Sequence, residues 1–486
     1  MYDTIIIGRD LSSLTAALVA SSHGLKTLLV TEGNQEMEHR DAGYAFPIDP
    51  TPLSGFGCGQ KVLRLLEGLH LSLAEAPKML LMDPAFQVIL PGHRVDLFHD
   101  QNQMISDMIR EFPLQEQEIR RLYHAILKAS TMVEHWIDED YAHLSSDLLM
   151  KIFRYAVRLP AAITGAYSLT VRRNGKDHAL ERVIEAQMAV LSHLDLNSQF
   201  LPLSAAYLLS LPSRGFFYPL GGRSAWINWL RKEYLNSGGE LMDGCSVMRI
   251  DTKPEIILDI ECAGSSSTFH SNTLIVSTHW EKLNLLLFRQ KVFRSAVRHL
   301  AYNHPNAYPF CLHLGVHQDG LPEKMAPYVA VVSDVNMPAR HQNLVFIERS
   351  LLGETGRAPE GRRALSATVF LKESPLVLDD TELKGIAKTI IDALEGFLPF
   401  LRESIDYVNI EKSIAFARQS QDCINQKYCT RTRSFIAMNT LSPETPLRNI
   451  LLTGGVLRAG LGFEGEIFSG VDAALLAGKE QRNHGQ

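Results

Sequence analysis

Two stretches at opposite ends of the chain set glycine among polar residues in a way that suits a bound anion. The first is Gly8-Arg9-Asp10-Leu11-Ser12-Ser13, followed further on by Glu32. The second runs Gly454-Gly455-Val456-Leu457-Arg458-Ala459-Gly460-Leu461-Gly462-Phe463-Glu464-Gly465. Glycine lets a backbone come close to a ligand, and the free N–H groups of a helix start, aided by the helix dipole, hold phosphate oxygens. An acidic residue past the second strand accepts hydrogen bonds from a ribose hydroxyl.

The elements that must position these residues are legible nearby. Tyr2–Gly8 is a β-branched apolar run ending in glycine, which predicts a buried parallel strand. Leu11–His23 repeats Leu11, Leu14, Ala17 and Leu18 at helical period, and Gly24 closes it. Lys26–Val30 is a second strand with Glu32 just past its end. This order predicts the opening βαβ of a dinucleotide-binding fold, and a buried crossover without ligand has the same order. Of the fingerprint G-x-G-x-x-G only Gly8 is kept. Ser13 in the third place is a mild change. Asp10 in the second place brings a side chain and a negative charge to where a pyrophosphate would lie, with Arg9 and Ser12 as partial offsets. At the far end, Asn449–Gly455 predicts a strand entering the glycine loop. Glu466–Leu476 predicts a helix with Ser469, Gly470, Ala473 and Ala474 on its packing side.

Gly8 to Glu32, together with the terminal LLTGGVLRAGLGFEGEIFSGVDAA, resembles the FAD-dependent phytoene desaturase/carotenoid isomerase family within the flavin amine oxidase superfamily. The middle is similar to that family as well. Tyr218-Pro219-Leu220-Gly221-Gly222-Arg223, Gly238-Gly239 and Cys245–Ile250 follow its P-x-GG, GG and V-x-x-I blocks, and Thr273–Val276 its next strand. Asp83–Arg110 is like its substrate-domain hairpin and first helix. The resemblance implies FAD as cofactor. Gly8, Arg9, Ser12 and Ser13 would lie under the pyrophosphate, Glu32 at the adenosine ribose and Val247 beside the adenine. Gly454 and Gly455, with Leu461, Gly462, Phe463, Glu464 and Gly465, would meet the ribityl chain and flavin. Gly221, Gly222 and Arg458 would stand near the isoalloxazine. The family's GGR after the ribose acid is absent, and Arg40 is the candidate that would reach a phosphate in its stead.

The expected fold class is α/β: a Rossmann-like FAD-binding domain assembled from discontinuous segments, plus an α+β substrate domain. Residues 1–75, 215–285 and 425–486 would form the first, and 76–214 (mostly helical) and 286–424 (mixed strands and helix) the second. Within the middle stretches, Gln101–Glu111, Leu114–Glu139, Leu148–Leu159 and His178–Leu194 predict helices. Phe310–Val316, Val329–Ser333, Leu344–Glu348 and Ala367–Leu371 predict strands, and Thr381–Gly396 a helix.

Composition narrows the classes further. The 486 residues are 45% hydrophobic and 21% charged, an ordinary globular balance, with a net charge of −6 that gives no case for nucleic acid. Apolar runs are too short for a bilayer-spanning helix. The chain enters its first strand at once, leaving no room for a signal segment, so a cytoplasmic setting is expected. Six scattered cysteines without a C-x-x-C pair predict reduced thiols and no zinc site. Residues 151–168 mix Lys151, Arg154 and Arg158 with apolar side chains. That pattern suits an ordinary domain helix or a peripheral contact with an anionic membrane. His279 reads as a structural histidine. No hydrolase motif stands out, and no catalytic side chain is assigned.

The resulting expectation is an oxidoreductase of desaturase, saturase or isomerase type, exchanging hydride or electrons between flavin and an apolar polyene or isoprenoid-like substrate. The alternative is a non-catalytic member of the fold, with FAD lost or purely structural, that binds a prenyl or lipid group or a partner protein. The Rab GDP-dissociation inhibitors and escort proteins are such members. Asp10 and Ser13 are the residues that fit this loss.

Overall fold

The computed structural model describes residues 1–33, 38–138, 178–195, 202–252, 255–280, 282–283, 285, 303–421, 423–424, 426–430 and 441–484. Two large sheets organise them. The first has seven strands in the order Ser246–Asp251, Ile256–Cys262, Ser265–Ser277, Tyr2–Ile7, Thr27–Val30, Glu240–Met242, and Ile450–Thr453 joins it by pairing with Ser265–Ser277. Tyr2–Ile7 lies parallel to both its neighbours, with Ile6 opposite Leu29 on one side and Ile275 on the other. Strands from the start, middle and end of the chain thus share one sheet. Its β-branched central residues Ile5, Ile6 and Ile7 are fully buried, as a strand covered on both faces requires.

The second sheet has eight strands in the order Ile405–Val408, Asn303–His317, Arg362–Leu371, Leu344–Arg349, Tyr328–Val332, Phe86–Leu90, His93–Leu97, with Lys427–Thr430 added beside Asn303–His317. The helix Asp380–Glu395 lays Leu383, Ala387, Ile390 and Leu394 on one face of it. Asp379 and Glu382 start that helix with a reciprocal capping box. The observed class is the expected one: a Rossmann-like α/β layer with a second, mixed α+β region.

The N-terminal helix Leu11–Ser22 and the terminal helix Gly462–His484 pack closely enough to bring backbones together. A Cβ built on Gly470 would lie 2.3 Å from the Ser12 carbonyl oxygen and 2.9 Å from the Ala16 nitrogen. Ala473 and Ala474 continue the contact, Ala474 against Val19 and Ala20. This small-residue seam sets the spacing of the two helix heads.

Three expectations change or fall outside the described residues. Cys245 and Cys262 form a disulfide with Cα atoms 4.4 Å apart, where reduced thiols were expected. They sit opposite one another at the ends of two paired antiparallel strands, a proximity that sequence spacing does not reveal. The terminal helix begins at Gly462 and not at Glu466, so Phe463, Glu464 and Gly465 belong to its first turn. Residues 151–168 and the helix expected at Leu148–Leu159 lie outside the described residues. Among the described residues no helix is long and apolar enough to cross a membrane.

Substituting the seam tests this packing. Gly470→Val would force the two helices apart and should lower the urea midpoint, at a cost of about 1–3 kcal/mol. Gly478→Ala, later on the same helix and with nothing near its Cβ position, should leave the midpoint unchanged or raise it.

Candidate functional site

The turn after the first strand puts Gly8 at φ 158°, with Ser13 and Ser277 close above it. Asp10 then caps the N-terminal helix. One carboxylate oxygen accepts from the Ser13 N–H at 3.1 Å and from the Ser13 hydroxyl. The other accepts from the Ser12 hydroxyl at 2.8 Å and the Ser277 hydroxyl at 2.9 Å. His279 Nδ1 stands 3.8 Å from the same oxygen, while its Nε2 meets the Tyr428 hydroxyl at 2.5 Å. Asp10, Ser12 and Ser13 are all buried. The place where the helix dipole would hold a phosphate is therefore held by a carboxylate of the chain itself.

Glu32 is engaged in the same manner. Its Oε1 accepts from the Val247 backbone N–H at 2.6 Å and the Lys282 ammonium at 2.7 Å, and its Oε2 from the Trp280 indole at 2.7 Å. Val247, expected beside the adenine, gives its backbone N–H to Glu32. Arg9 Nη1 reaches the Gln419 carbonyl at 3.4 Å and lies near Gly33. Arg40, itself exposed, pairs with Glu38 on the strand Glu38–Asp41.

The head of the N-terminal helix and Glu466 of the terminal helix line one narrow cavity of about 40 Å³, bounded by Gly8, Asp10, Asp49 and Arg223 among others. Arg223 bridges there to Asp49 at 3.0 Å and to Glu466 at 3.6 Å. Burial pushes the Asp49 carboxyl up, but Arg223 and the Thr51 N–H and hydroxyl outweigh it and hold the carboxyl below its usual range. A second cavity of about 210 Å³ opens between Arg9, Glu32, Gly33, Ser277, Trp280 and Arg418. Both volumes fall below the 300–1,000 Å³ of ordinary ligand pockets.

At the terminal loop, Gly454 adopts φ 137° and donates its N–H to the Ser469 hydroxyl at 2.9 Å, and a Cβ there would strike Thr278 Oγ1. Gly455 follows it at the strand exit and is buried. Gly462, at φ 57°, abuts the Leu191 carbonyl, and Gly465 abuts that of Arg458. Phe463 packs against Trp226 with ring centroids 5.7 Å apart, beneath the Arg223 guanidinium at 5.2 Å. Glu464 is fully buried and accepts from Ser54 at 2.8 Å and Tyr207 at 2.7 Å. Arg458 pairs with Asp472 at 2.5 Å. Gly221 and Gly222 start the helix Gly222–Asn236 at φ 89° and 76°. The Gly221 N–H donates to Glu354 at 2.9 Å, and the Arg357 guanidinium, bidentate to Glu348, lies against Gly222.

FAD fits part of this frame. Gly8 and Gly33 line the larger cavity, and the head of the N-terminal helix and Glu466 line the smaller one. At the pyrophosphate the residues present do not fit, because the Asp10 carboxylate already holds the donors that phosphate oxygens would take. The sequence pointed to Asp10 as an obstacle but not to Ser277 as its partner, nor to Trp280 and Lys282 as partners of Glu32. These three come from the end of the strand Ser265–Ser277 and beyond, where no local spacing marks them.

Lys427 is a further buried group that the sequence gave no reason to single out. Its ammonium donates to the carbonyls of Val190, at 3.3 Å, and Ser192, and lies 4.4 Å over the Phe370 ring. Burial pushes its pKa down to about 7, against the opposing pull of Asp49 and Asp195. The unfolded chain keeps this lysine charged up to its ordinary value of 10.5, so between about pH 7 and 10.5 the unfolded state binds more protons. Stability should therefore rise with pH across that window. Lys427→Met should flatten the rise in urea unfolding free energy between pH 7 and 10, and an unchanged slope would contradict this assignment.

No protein-family profile matches the chain, and no curated protein does. Solved structures match it over nearly their full length. A redesigned putrescine oxidase shares 13% identity at a TM-score of 0.62, covering 99% of both chains. Cyclohexylamine oxidase from Brevibacterium oxydans shares 14% at 0.60, again over 99% of both. A Rab GDI from Plasmodium falciparum shares 12% at 0.53, over 97% of both. At such identities the likeness establishes the fold: this chain has the architecture shared by putrescine oxidase, cyclohexylamine oxidase and Rab GDI.

Proposed function

We propose that this chain is an FAD-dependent oxidoreductase acting on an apolar unsaturated, polyene or isoprenoid-like substrate. The observation that carries the reading is the close packing of the first and last helices beside one crevice. The two helices approach backbone to backbone at Gly470, and the head of the first and Glu466 of the last line a crevice that begins at Gly8. Such a junction is what an elongated dinucleotide needs, and the full-length fold match to two amine oxidases supports it. Bound FAD would supply the hydride or electron acceptor. The chain would supply orientation and a dry surround, for which Phe56, Trp226 and Phe463 beside the terminal loop are suited. No reaction step is assigned through the cofactor while Asp10 holds its phosphate donors.

A second reading has its own observation behind it. The engaged carboxylates of Asp10 and Glu32 suit a member of the fold that has given up FAD and binds a prenyl or lipid group, or a partner protein. The fold match to Rab GDI supports that possibility at the level of architecture.

Purified full-length chain, held at equilibrium with excess FAD, distinguishes the two. Saturable binding followed by flavin and tryptophan fluorescence is the expected result. No binding at any FAD concentration would replace the first reading with the second. Putrescine and cyclohexylamine serve as contrasting substrates: turnover of either by the loaded protein would overturn the apolar-substrate part.

A further inference from the structure

We propose that the Asp10 carboxylate is a built-in occupant of the anion position at the head of the N-terminal helix, which a phosphate-bearing ligand must displace to enter. This rests on the reading of the crevice as a dinucleotide site and adds a condition for loading it.

Four donors converge on Asp10: the Ser13 N–H and the hydroxyls of Ser12, Ser13 and Ser277. They come from two separated segments, the helix start and the end of the strand Ser265–Ser277, and all are buried. Hydroxyls and helix N–H groups are also the donors that phosphate oxygens recruit. The set is chemically competent for phosphate, and a carboxylate has taken it.

Charge and space then decide the competition. A diphosphate beside the Asp10 carboxylate would place like charges together in a buried setting, and the cavity that Asp10 lines measures only about 40 Å³, the one beyond Gly8 and Ser277 about 210 Å³. Entry requires the carboxylate to rotate out, which surrenders four hydrogen bonds and the helix cap. A phosphate arriving in its place regains the same donors. Displacement is therefore an exchange of one anion for another. The wild-type chain should hold FAD weakly for its fold, and loading should depend on ligand concentration.

Removing the side chain tests this, because glycine and serine are both acceptable at a helix cap. Wild type, Asp10→Gly and Asp10→Ser, each as the full chain, are titrated with FAD and separately with ADP, following tryptophan fluorescence and calorimetry. Far-ultraviolet circular dichroism confirms that each is folded. The expected result is at least about ten-fold tighter binding of both ligands by Asp10→Gly, and a gain in the same direction by Asp10→Ser. Equal affinity of wild type and both variants would overturn the proposal while leaving the cofactor reading intact. Binding of neither ligand by any of the three would overturn the dinucleotide reading, and the proposal with it.

Discussion

One carboxylate ties together the parts of the chain that meet at the crevice. Asp10 closes the head of the first helix, and through Ser277 it also fastens the end of the strand Ser265–Ser277 beside the first strand. A helix leaves its first N–H groups without partners, and when that head is buried something must satisfy them. In dinucleotide-binding folds the ligand can do so. Here a side chain does, and the turn is complete without any guest. The consequence spreads outward, because the same turn carries Arg9 and Gly8 and sets where the neighbouring Glu32 and Trp280 lie.

A pattern of internal satisfaction runs along the crevice. Glu32 gathers a backbone N–H, an indole and an ammonium, while Arg223 joins Asp49 and Glu466 between the two helix heads. Glu464 is closed by Ser54 and Tyr207. Each of these acids is buried or half-buried and partnered, as the cost of stranding a charge away from water demands. The frame for an elongated ligand and the means of holding that frame shut are thus built from the same residues. Such an arrangement makes occupancy a matter of competition between ligand and side chains.

Much of the frame could be read from the residues. The strand–helix–strand opening follows from an apolar β-branched run, a helical repeat and a closing glycine. The terminal seam followed from the small residues Ser469, Gly470, Ala473 and Ala474, and Gly470 does lie on the Ser12 backbone, while the Ser469 hydroxyl accepts from the Gly454 N–H. What stayed hidden was long-range pairing. Cys245 and Cys262 meet only because two strands fold back on each other. Asp10 could be seen as a charge near a phosphate position, but its capture by Ser277 depends on a strand far along the chain. Arg40 reads in the sequence only as a cation that would reach a phosphate, and nothing there signals its pairing with Glu38 across one residue of its own strand. The early start of the terminal helix at Gly462 reflects glycine tolerated in a first turn, where a loop was the expectation.

The most direct test is a high-resolution electron-density map of the purified wild-type chain at the head of the N-terminal helix. The account predicts the Asp10 carboxylate within hydrogen-bond reach of the Ser13 N–H and the Ser277 hydroxyl, with no phosphate density in its place. Dinucleotide density running past Gly8 with the Asp10 carboxylate still on the Ser13 and Ser277 donors, or a ligand-free chain with Asp10 turned away from them, would contradict it.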